Sequence, residues 1–167
     1  MAFDLTSDQS LIVDTARRFA EDRLKPNAAG WDEGHIFPRD VIKEAAALGF
    51  AGIYVGEEHG GSGLSRLDAA LIFEQLSRGC VTTAAFISIH NMASWMIDTF
   101  GSADQRARWL PGLMAMDQMA SYCLTEPNSG SDAAALRTSA RRDRDHYVLN
   151  GAKAFISGAG ENDVYVV

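Results

Sequence analysis

The sequence predicts an α+β fold, in which an all-helical N-terminal domain is followed by the beginning of a β-barrel-like domain. Apolar residues recur at helical spacing through the first two thirds of the chain, and short β-prone runs bounded by turn residues follow Met119. The composition, 47% hydrophobic and 22% charged over 167 residues, is that of an ordinary globular protein. We therefore expect a helical domain at residues 1–120 and an incomplete β-domain at residues 121–167.

Three of the predicted helices open with a hydroxyl residue followed three positions later by Gln or Asp, a spacing that allows a capping box. These pairs are Thr6 and Gln9, Ser65 and Asp68, and Ser102 and Gln105. The first helix should end near Pro26. A second is predicted from 38 to 49, with Leu48 in its apolar stripe and Gly49 as its stop, and a long apolar helix from 83 to 100.

The residues beyond Met119 favour strands. Residues 121–125 and 164–167 read as short strands, and residues 127–132 as a turn or loop. The runs at 147–149 and 154–156 flank Asn150-Gly151, and Asn-Gly predicts a hairpin because both residues tolerate positive φ. A strand at the end of the chain predicts that these residues are part of a longer protein.

Charge and cysteine content exclude several function classes. A net charge of −7 argues against nucleic-acid binding, which depends on clustered cations. Cys80 and Cys123 are far apart, which fits a reduced compartment and excludes a disulfide framework. The apolar stretch 81–100 carries too many polar residues for a membrane span, and no targeting segment is recognisable. We expect a protein of the cytoplasm or, as a mature form, of the mitochondrial matrix.

The common catalytic motifs are missing from the sequence. The chain has no Gly-rich dinucleotide loop, no P-loop, no nucleophile elbow and no zinc-protease helix. The histidines lack metal-ligand spacing, so no metal site is predicted and each is expected at the surface or in a hydrogen bond. They are His35, His59, His90 and His146. The adjacent pair Glu57 and Glu58 is expected to be part of a solvated loop.

The segment 122–132, YCLTEPNSGSD, concentrates polar chemistry behind a predicted strand. Gly130 permits close approach of the backbone to a ligand, and the turn can present N–H groups to an anion. Ser129 and Ser131 add hydroxyls, and Thr125 can hydrogen-bond to a heteroaromatic ring. A tight β-turn with a serine cap accounts for the same composition, so the residues alone leave both interpretations open.

Linked motifs give the segment a more specific meaning. YCLTEPNSGSD followed by LNGAKAFISGAGENDVYVV resembles the flavin-binding signature of the acyl-CoA dehydrogenases, and EEHGGSGLSRLDAALIFEQLSRGC and ISIHNMASWMIDTFGSADQR extend the resemblance over nearly the whole chain. The resemblance implies FAD as cofactor and an acyl-CoA as substrate, with isobutyryl-CoA, a short branched thioester of valine breakdown, expected. It also implies an electron-transferring flavoprotein as acceptor and a homotetramer.

The resemblance also implies site residues. Those expected at FAD are Tyr122, Cys123, Leu124, Thr125, Gly130, Ser131, Phe155, Ile156 and Ser157. Phe155 and Ser157 stand where the family commonly has Trp and Thr, and Asn128 stands where it commonly has Gly. Ser131 is also expected at the acyl-CoA, together with Ala85, Ser88 and Met92, which share one helix face and equally fit simple packing between helices.

No catalytic residue is predicted within this chain. The family's base is a Glu of a later domain, and Glu126 of the TEP turn does not match it. The resemblance therefore implies that this fragment alone is inactive. Other readings stay open: an acyl-CoA oxidase or nitroalkane-oxidase-like flavoenzyme, a non-catalytic flavin- or acyl-CoA-binding module, and a helical domain without a ligand.

Overall fold

The computed structural model describes residues 4–167, so residues 1–3, the start of the predicted helical domain, lie outside it. Six α-helices come first: α1 (Ser7–Phe19), α2 (Ala28–Glu33), α3 (Arg39–Ala46), α4 (Arg66–Gly79), α5 (Val81–Phe100) and α6 (Ala103–Met114). Four strands follow: β1 (Ala120–Tyr122), β2 (Ser139–Asp143), β3 (His146–Asn150) and β4 (Val164–Val166). No helix in this range is long and apolar enough to cross a membrane. The α+β class predicted from the sequence is confirmed.

The three predicted capping boxes all form. In α1, α4 and α6 the hydroxyl side chain accepts from the third backbone N–H, and the Gln or Asp side chain accepts from the N-cap N–H. A π-helical stretch, Ala20–Leu24, extends α1 before Pro26. The long apolar helix α5 starts two residues before its expected position and ends, as expected, before Gly101.

The sequence predicts neither α2 nor the correct end of α3. The six-residue helix α2 has no side-chain cap and contains Gly30, so it carries no start signal that the sequence could show. The second predicted helix, α3, ends at Ala46 and not near residue 49. Leu48, expected in its apolar stripe, is 41% exposed, because the chain has already left the helix there.

The helical core forms mainly between α1, α4 and α5. Ala16, Ile72, Leu76 and Ile87 are completely buried in it. Asn91 of α5 is also fully buried, and it binds the loop that follows α3 through hydrogen bonds to the Ile53 N–H (2.6 Å) and the Phe50 carbonyl (2.8 Å). Because both ends of its amide are paired, this polar side chain fixes the loop without an unsatisfied group.

The predicted hairpin at Asn150-Gly151 is wrong. Strand β3 pairs antiparallel with β2, which precedes it, and the turn between them contains Arg144 in the left-handed conformation (φ 59°). After Gly151 the chain turns back toward the region that follows β1, where Ala154 N–H donates to the Thr125 carbonyl (2.9 Å). Residues 154–156 form no strand, since Phe155 has φ 57° and interrupts the extended backbone.

The second sheet joins distant parts of the chain. Strand β1 pairs in parallel with β4, so that Ser121 lies opposite Tyr165. Strand β1 is shorter than the predicted run of 121–125, but the pairing continues beyond it, because the Cys123 N–H donates to the Val166 carbonyl (2.8 Å). Strand β1 also contacts the helices, because Ala120 is completely buried in an apolar cluster with Ala93 of α5 and Leu110 of α6.

Candidate functional site

Seven of the nine residues expected at FAD lie in two segments that are side by side, and the other two, Gly130 and Ser131, lie in the turn that follows the first segment. One segment is 122–125, which continues β1, and the other is 153–157. Besides the Ala154–Thr125 hydrogen bond, the Lys153 ammonium donates to the Leu124 carbonyl (2.8 Å). The structure therefore brings together two segments that are about thirty residues apart in sequence.

The turn between Glu126 and Asp132 is tight and exposed at its tip. Glu126 and Ser129 exchange both backbone hydrogen bonds, 2.9 and 3.1 Å, and the Ser129 hydroxyl donates to the Asp132 carbonyl (2.6 Å). Gly130 and Ser131 are exposed, and a Cβ added at Gly130 would meet no atom within 4 Å. The open backbone at Gly130 leaves room for a ligand, although a tight turn alone has the same local geometry.

The Glu126 carboxylate stabilises this turn through hydrogen bonds. Its carboxylate accepts from the N–H groups of Arg137 (2.7 Å) and Thr138 (2.9 Å) and from the Lys153 ammonium (3.0 Å). The Thr138 side chain, these two N–H groups and Lys153 lower the pKa of Glu126 to about 2. A carboxylate with so low a pKa and so many donors is a poor general base at neutral pH.

Phe155 has the most unusual environment of the predicted site residues. Its backbone is left-handed, with φ 57°, and its side chain is 96% exposed. Ile156 and Ser157, the next two residues, are half-buried. The ring is therefore free to contact a ligand, and its backbone lies in a conformation that a non-glycine residue adopts only when the surrounding structure enforces it.

The segment after Phe155 packs against α5. Gly158 has φ +76°, and a Cβ there would lie 2.7 Å from a ring atom of Phe86. The Ser121 hydroxyl donates to the Ser157 carbonyl (2.6 Å) and accepts from the Asn162 side-chain amide (2.6 Å). Only glycine fits this close approach, which places residues 155–158 beside the helix that carries the predicted acyl wall.

The residues predicted for the acyl wall lie on the outer face of α5. Ala85 is exposed and Ser88 and Met92 are half-buried, whereas Ile87 and Asn91 point into the core. Ser131, expected near the same substrate, is exposed, and no hydrogen bond within residues 4–167 joins it to α5. This face of α5 is therefore partly exposed.

His90 of α5 connects the helices to the β region. Its Nε2 lies 3.0 Å from the Leu113 carbonyl, and its Nδ1 accepts from the Ala120 N–H at 3.1 Å. Because Nδ1 is an acceptor, Nε2 carries the proton in the neutral ring. Burial lowers the pKa of His90 to about 4, against the opposing effect of the Leu113 carbonyl.

Sequence reasoning missed three side chains that organise the site: Ser121, Lys153 and His90. Lys153 is part of the quoted NGAK motif, but its partners, Leu124 and Glu126, become visible only in the fold. Ser121 precedes the YCLTEP motif as an ordinary strand residue. The histidine was expected at the surface or in a hydrogen bond, and no sequence signal distinguished it as the residue that links two regions.

The chain matches known proteins along its whole length. Residues 6–117 match the acyl-CoA dehydrogenase N-terminal domain, and residues 121–167 match the acyl-CoA dehydrogenase middle domain. Among relatives, mitochondrial isobutyryl-CoA dehydrogenase of Dictyostelium discoideum is 57% identical and that of Bos taurus 55% identical, each over 98% of this chain and 39% of the relative. The chain spans about two fifths of the length of these relatives.

Solved structures agree with this assignment. Glutaryl-CoA dehydrogenase from Mycobacterium smegmatis in complex with FADH2 is 35% identical, with a TM-score of 0.93, over 98% of this chain and 42% of that one. Butyryl-CoA dehydrogenase from Megasphaera elsdenii is 33% identical, with a TM-score of 0.89, over 100% and 45%. The chain therefore belongs to the acyl-CoA dehydrogenase family of FAD-dependent oxidoreductases.

Proposed function

We propose that this chain is the N-terminal part of an FAD-dependent dehydrogenase that oxidises a short branched acyl-CoA, isobutyryl-CoA, to its α,β-enoyl-CoA. The 57% and 55% identities to two isobutyryl-CoA dehydrogenases support this choice of substrate. An electron-transferring flavoprotein is the proposed electron acceptor. The protein is proposed to be a homotetramer of the bacterial cytoplasm or the mitochondrial matrix, which light scattering and fractionation can test.

The observation that carries the proposal is the bare ring of Phe155. A planar heteroaromatic ligand gains most from an aromatic face that is held in place and left free of protein contacts, and Phe155 meets both conditions. The neighbouring segment 122–125 offers backbone groups and the half-buried Thr125 hydroxyl, and the Ala154–Thr125 hydrogen bond joins it to the segment that carries Phe155. These residues therefore fit a flavin ring.

Each predicted residue has a defined task in this proposal. Thr125 and the backbone of 122–125 would hold the polar edge of the ring, and Ser157 would supply a hydroxyl beside it. Gly130 and Ser131 would meet the pyrophosphate, because exposed N–H groups and a hydroxyl at an unobstructed glycine suit an anion. When bound, FAD would accept hydride from the β-carbon of the acyl chain.

The acyl chain would be limited by the outer face of α5. Ala85 and Ser88 are small, and Met92 is flexible enough to pack around a branched methyl group. A wall of this kind favours short acyl chains, because each extra methylene must be overpacked at a cost of about 1–3 kcal/mol.

The catalytic base is proposed to come from outside this chain. Glu126, the acidic residue of the signature turn, is paired with Lys153 and two N–H groups and cannot take a proton near neutral pH. The 167-residue chain alone should therefore leave FAD oxidised when isobutyryl-CoA is added without oxygen. Bleaching of the flavin above a protein-free blank would contradict this statement.

The substrate proposal is tested on the complete protein that contains this chain. We expect kcat/KM to be highest for isobutyryl-CoA or an acyl chain of similar length. The value for butyryl-CoA should be close to this maximum, and the value for octanoyl-CoA should be far below it. Met92→Ala should reduce that fall, whereas Leu67→Ala, at an exposed position of α4, serves as the control. A preference of the wild type for octanoyl-CoA would remove the branched-chain assignment and leave only the family.

The same experiment separates the rival functions. An acyl-CoA oxidase or a nitroalkane-oxidase-like enzyme forms peroxide during turnover in air, whereas the proposed dehydrogenase needs a mediator dye or its flavoprotein partner. A yellow complete protein that turns over none of the three thioesters would support the non-catalytic binding module.

A further inference from the structure

The left-handed backbone at Phe155 needs an explanation outside its own side chain. A non-glycine residue in this conformation is strained and persists only where the surrounding structure enforces it. The ring of Phe155 is 96% exposed, so packing of the side chain cannot provide that enforcement. The restraint must come from the backbone on either side of the residue.

Hydrogen bonds hold both ends of the segment. Before Phe155, the Ala154 N–H donates to the Thr125 carbonyl and the Lys153 ammonium donates to the Leu124 carbonyl. After it, the Ser157 carbonyl accepts from the Ser121 hydroxyl at 2.6 Å. The Ser121 hydroxyl therefore restrains the backbone that follows Phe155. Ser121 is itself completely buried in β1.

Asn162 fixes the direction of that hydrogen bond. Its side-chain amide donates to the Ser121 oxygen at 2.6 Å, so the hydroxyl proton of Ser121 is left to point at the Ser157 carbonyl. Within residues 4–167 the amide oxygen of Asn162 has no partner, and the bond to Ser121 is the only hydrogen bond of its side chain. Asn162 therefore orients Ser121, and Ser121 holds Ser157.

We propose that Ser121, oriented by Asn162, is a positioning residue that fixes Phe155 and Ser157 where the flavin ring binds. This inference rests on the proposed function, because it assumes that these two residues face FAD. Ser121 would touch neither cofactor nor substrate. It would act through the Ser157 carbonyl, and its loss would let the strained segment relax toward an extended conformation.

The test uses the complete protein loaded with FAD. Ser121→Ala removes the donor to the Ser157 carbonyl and also the acceptor of the Asn162 side-chain amide. We expect the dissociation constant for FAD to rise roughly tenfold. The visible spectrum of the bound flavin should shift, and kcat should fall while KM for the acyl-CoA changes less than about twofold.

Ser94→Ala is the matched control. Ser94 of α5 is also completely buried, but its hydroxyl has no hydrogen-bond partner within residues 4–167, so its removal should leave FAD affinity and spectrum unchanged. Asn162→Ala keeps Ser121 and removes only the group that orients it. It should therefore change affinity and spectrum in the same direction by a smaller factor, and it keeps the test available if Ser121→Ala does not fold.

The possible outcomes separate this inference from the proposed function. A complete wild-type protein that binds no FAD would overturn both. A wild type that binds FAD, with Ser121→Ala or Asn162→Ala indistinguishable from Ser94→Ala in affinity and spectrum, would overturn the positioning role alone. An affinity loss in Ser94→Ala as large as in Ser121→Ala would also overturn it, because any buried serine would then have the same effect.

Discussion

The helical region and the β region of this chain are held together by different forces. In the helical region, side chains such as Ile72, Leu76 and Ile87 are completely buried. In the described chain no residue beyond Ser129 is buried, and both strands of the β2–β3 hairpin are exposed over nearly their whole length. Apolar packing therefore dominates in the helices. In the β region it is confined to β1 and β4, which pack against a cluster that contains Ala93 and Leu110, and hydrogen bonds fix the rest.

The candidate site lies in the weakly packed region, and polar contacts anchor that region to the helices. Arg39 of α3 donates to the Asp163 carboxylate (2.6 Å) and to the Glu161 carbonyl (2.6 Å). This ion pair is partly exposed and contributes little. The geometry of the site therefore depends on specific hydrogen bonds, which single substitutions can remove without unfolding the helices.

The largest expected effect is on the free energy of unfolding, when a leucine is replaced by alanine in the helical region and in the β region. Leu76→Ala empties part of the helical core and should lower the free energy of unfolding of the 167-residue chain by about 2–5 kcal/mol. Leu149→Ala, on the exposed strand β3, should change it by less than about 0.5 kcal/mol. Urea unfolding followed by circular dichroism measures both. Equal losses would mean that the β region has a core of its own. They would contradict the difference in packing between the two regions.

The next effect is the acid sensitivity of the contact between the regions. His90 is buried in its neutral form, with a pKa lowered from 6.5 to about 4, so the unfolded chain binds the proton more readily. Its contribution is complete above about pH 6.5 and is lost as the pH falls through 4, about 3 kcal/mol in total. In the neutral ring, Nδ1 of His90 accepts a hydrogen bond from the Ala120 N–H. Protonation of Nδ1 would remove this acceptor and bring two N–H groups face to face.

The measurement compares the free energy of unfolding at about pH 7 and about pH 4.5. The wild type should lose stability over this interval, and His90→Gln should show a flatter dependence. His146→Asn, which changes an exposed histidine, is the control and should keep the wild-type slope. An unchanged slope in His90→Gln would show that another group is responsible.

Sequence reasoning succeeded where the signal is local. The capping boxes at Thr6, Ser65 and Ser102 each need only residues three positions apart, and all three form. It failed where the structure depends on distant partners. Asn150-Gly151 is a strong local turn signal, but β3 pairs with β2 instead, through a turn that has no glycine.

The candidate site shows the same division. The motifs located the segment 122–125 and the segment around Phe155, and the structure places them side by side. The roles of individual residues toward a flavin remain predictions. The parallel pairing of β1 with β4 joins residues more than forty positions apart. No local pattern could therefore predict the hydrogen bond between Ser121 and Asn162.

A smaller and more local effect is expected at the signature turn. Glu126→Gln keeps the shape of the side chain but removes the charge that binds Lys153 and the N–H groups of Arg137 and Thr138. The amides of Arg137 and Thr138 should then exchange with solvent roughly tenfold faster, while those of α4 stay unchanged.

The pH dependence of this exchange has a defined sign. The pKa of Glu126 is lowered from 4.5 to about 2, so its stabilisation is present above pH 4.5 and is lost as the pH falls toward 2. The wild type should approach the Glu126→Gln exchange rates in that interval. Glu58→Gln, in an exposed loop, is the control, and faster exchange in α4 of Glu126→Gln would show that the turn is not locally held.

The smallest expected effect has the opposite sign and tests whether the site stores strain. Phe155→Gly removes a side chain that packs against nothing and frees a left-handed backbone that costs an ordinary residue about 1–2 kcal/mol. Glycine also gives the unfolded chain more freedom, which offsets roughly 0.5–1 kcal/mol. The net result should be a gain of up to about 1 kcal/mol in the free energy of unfolding.

Tyr147→Gly, at an exposed position of regular strand β3, should instead be destabilising. If Phe155→Gly destabilises the chain as much as Tyr147→Gly does, the exposed ring is not strained, and its left-handed backbone is no sign of a place kept for a ligand.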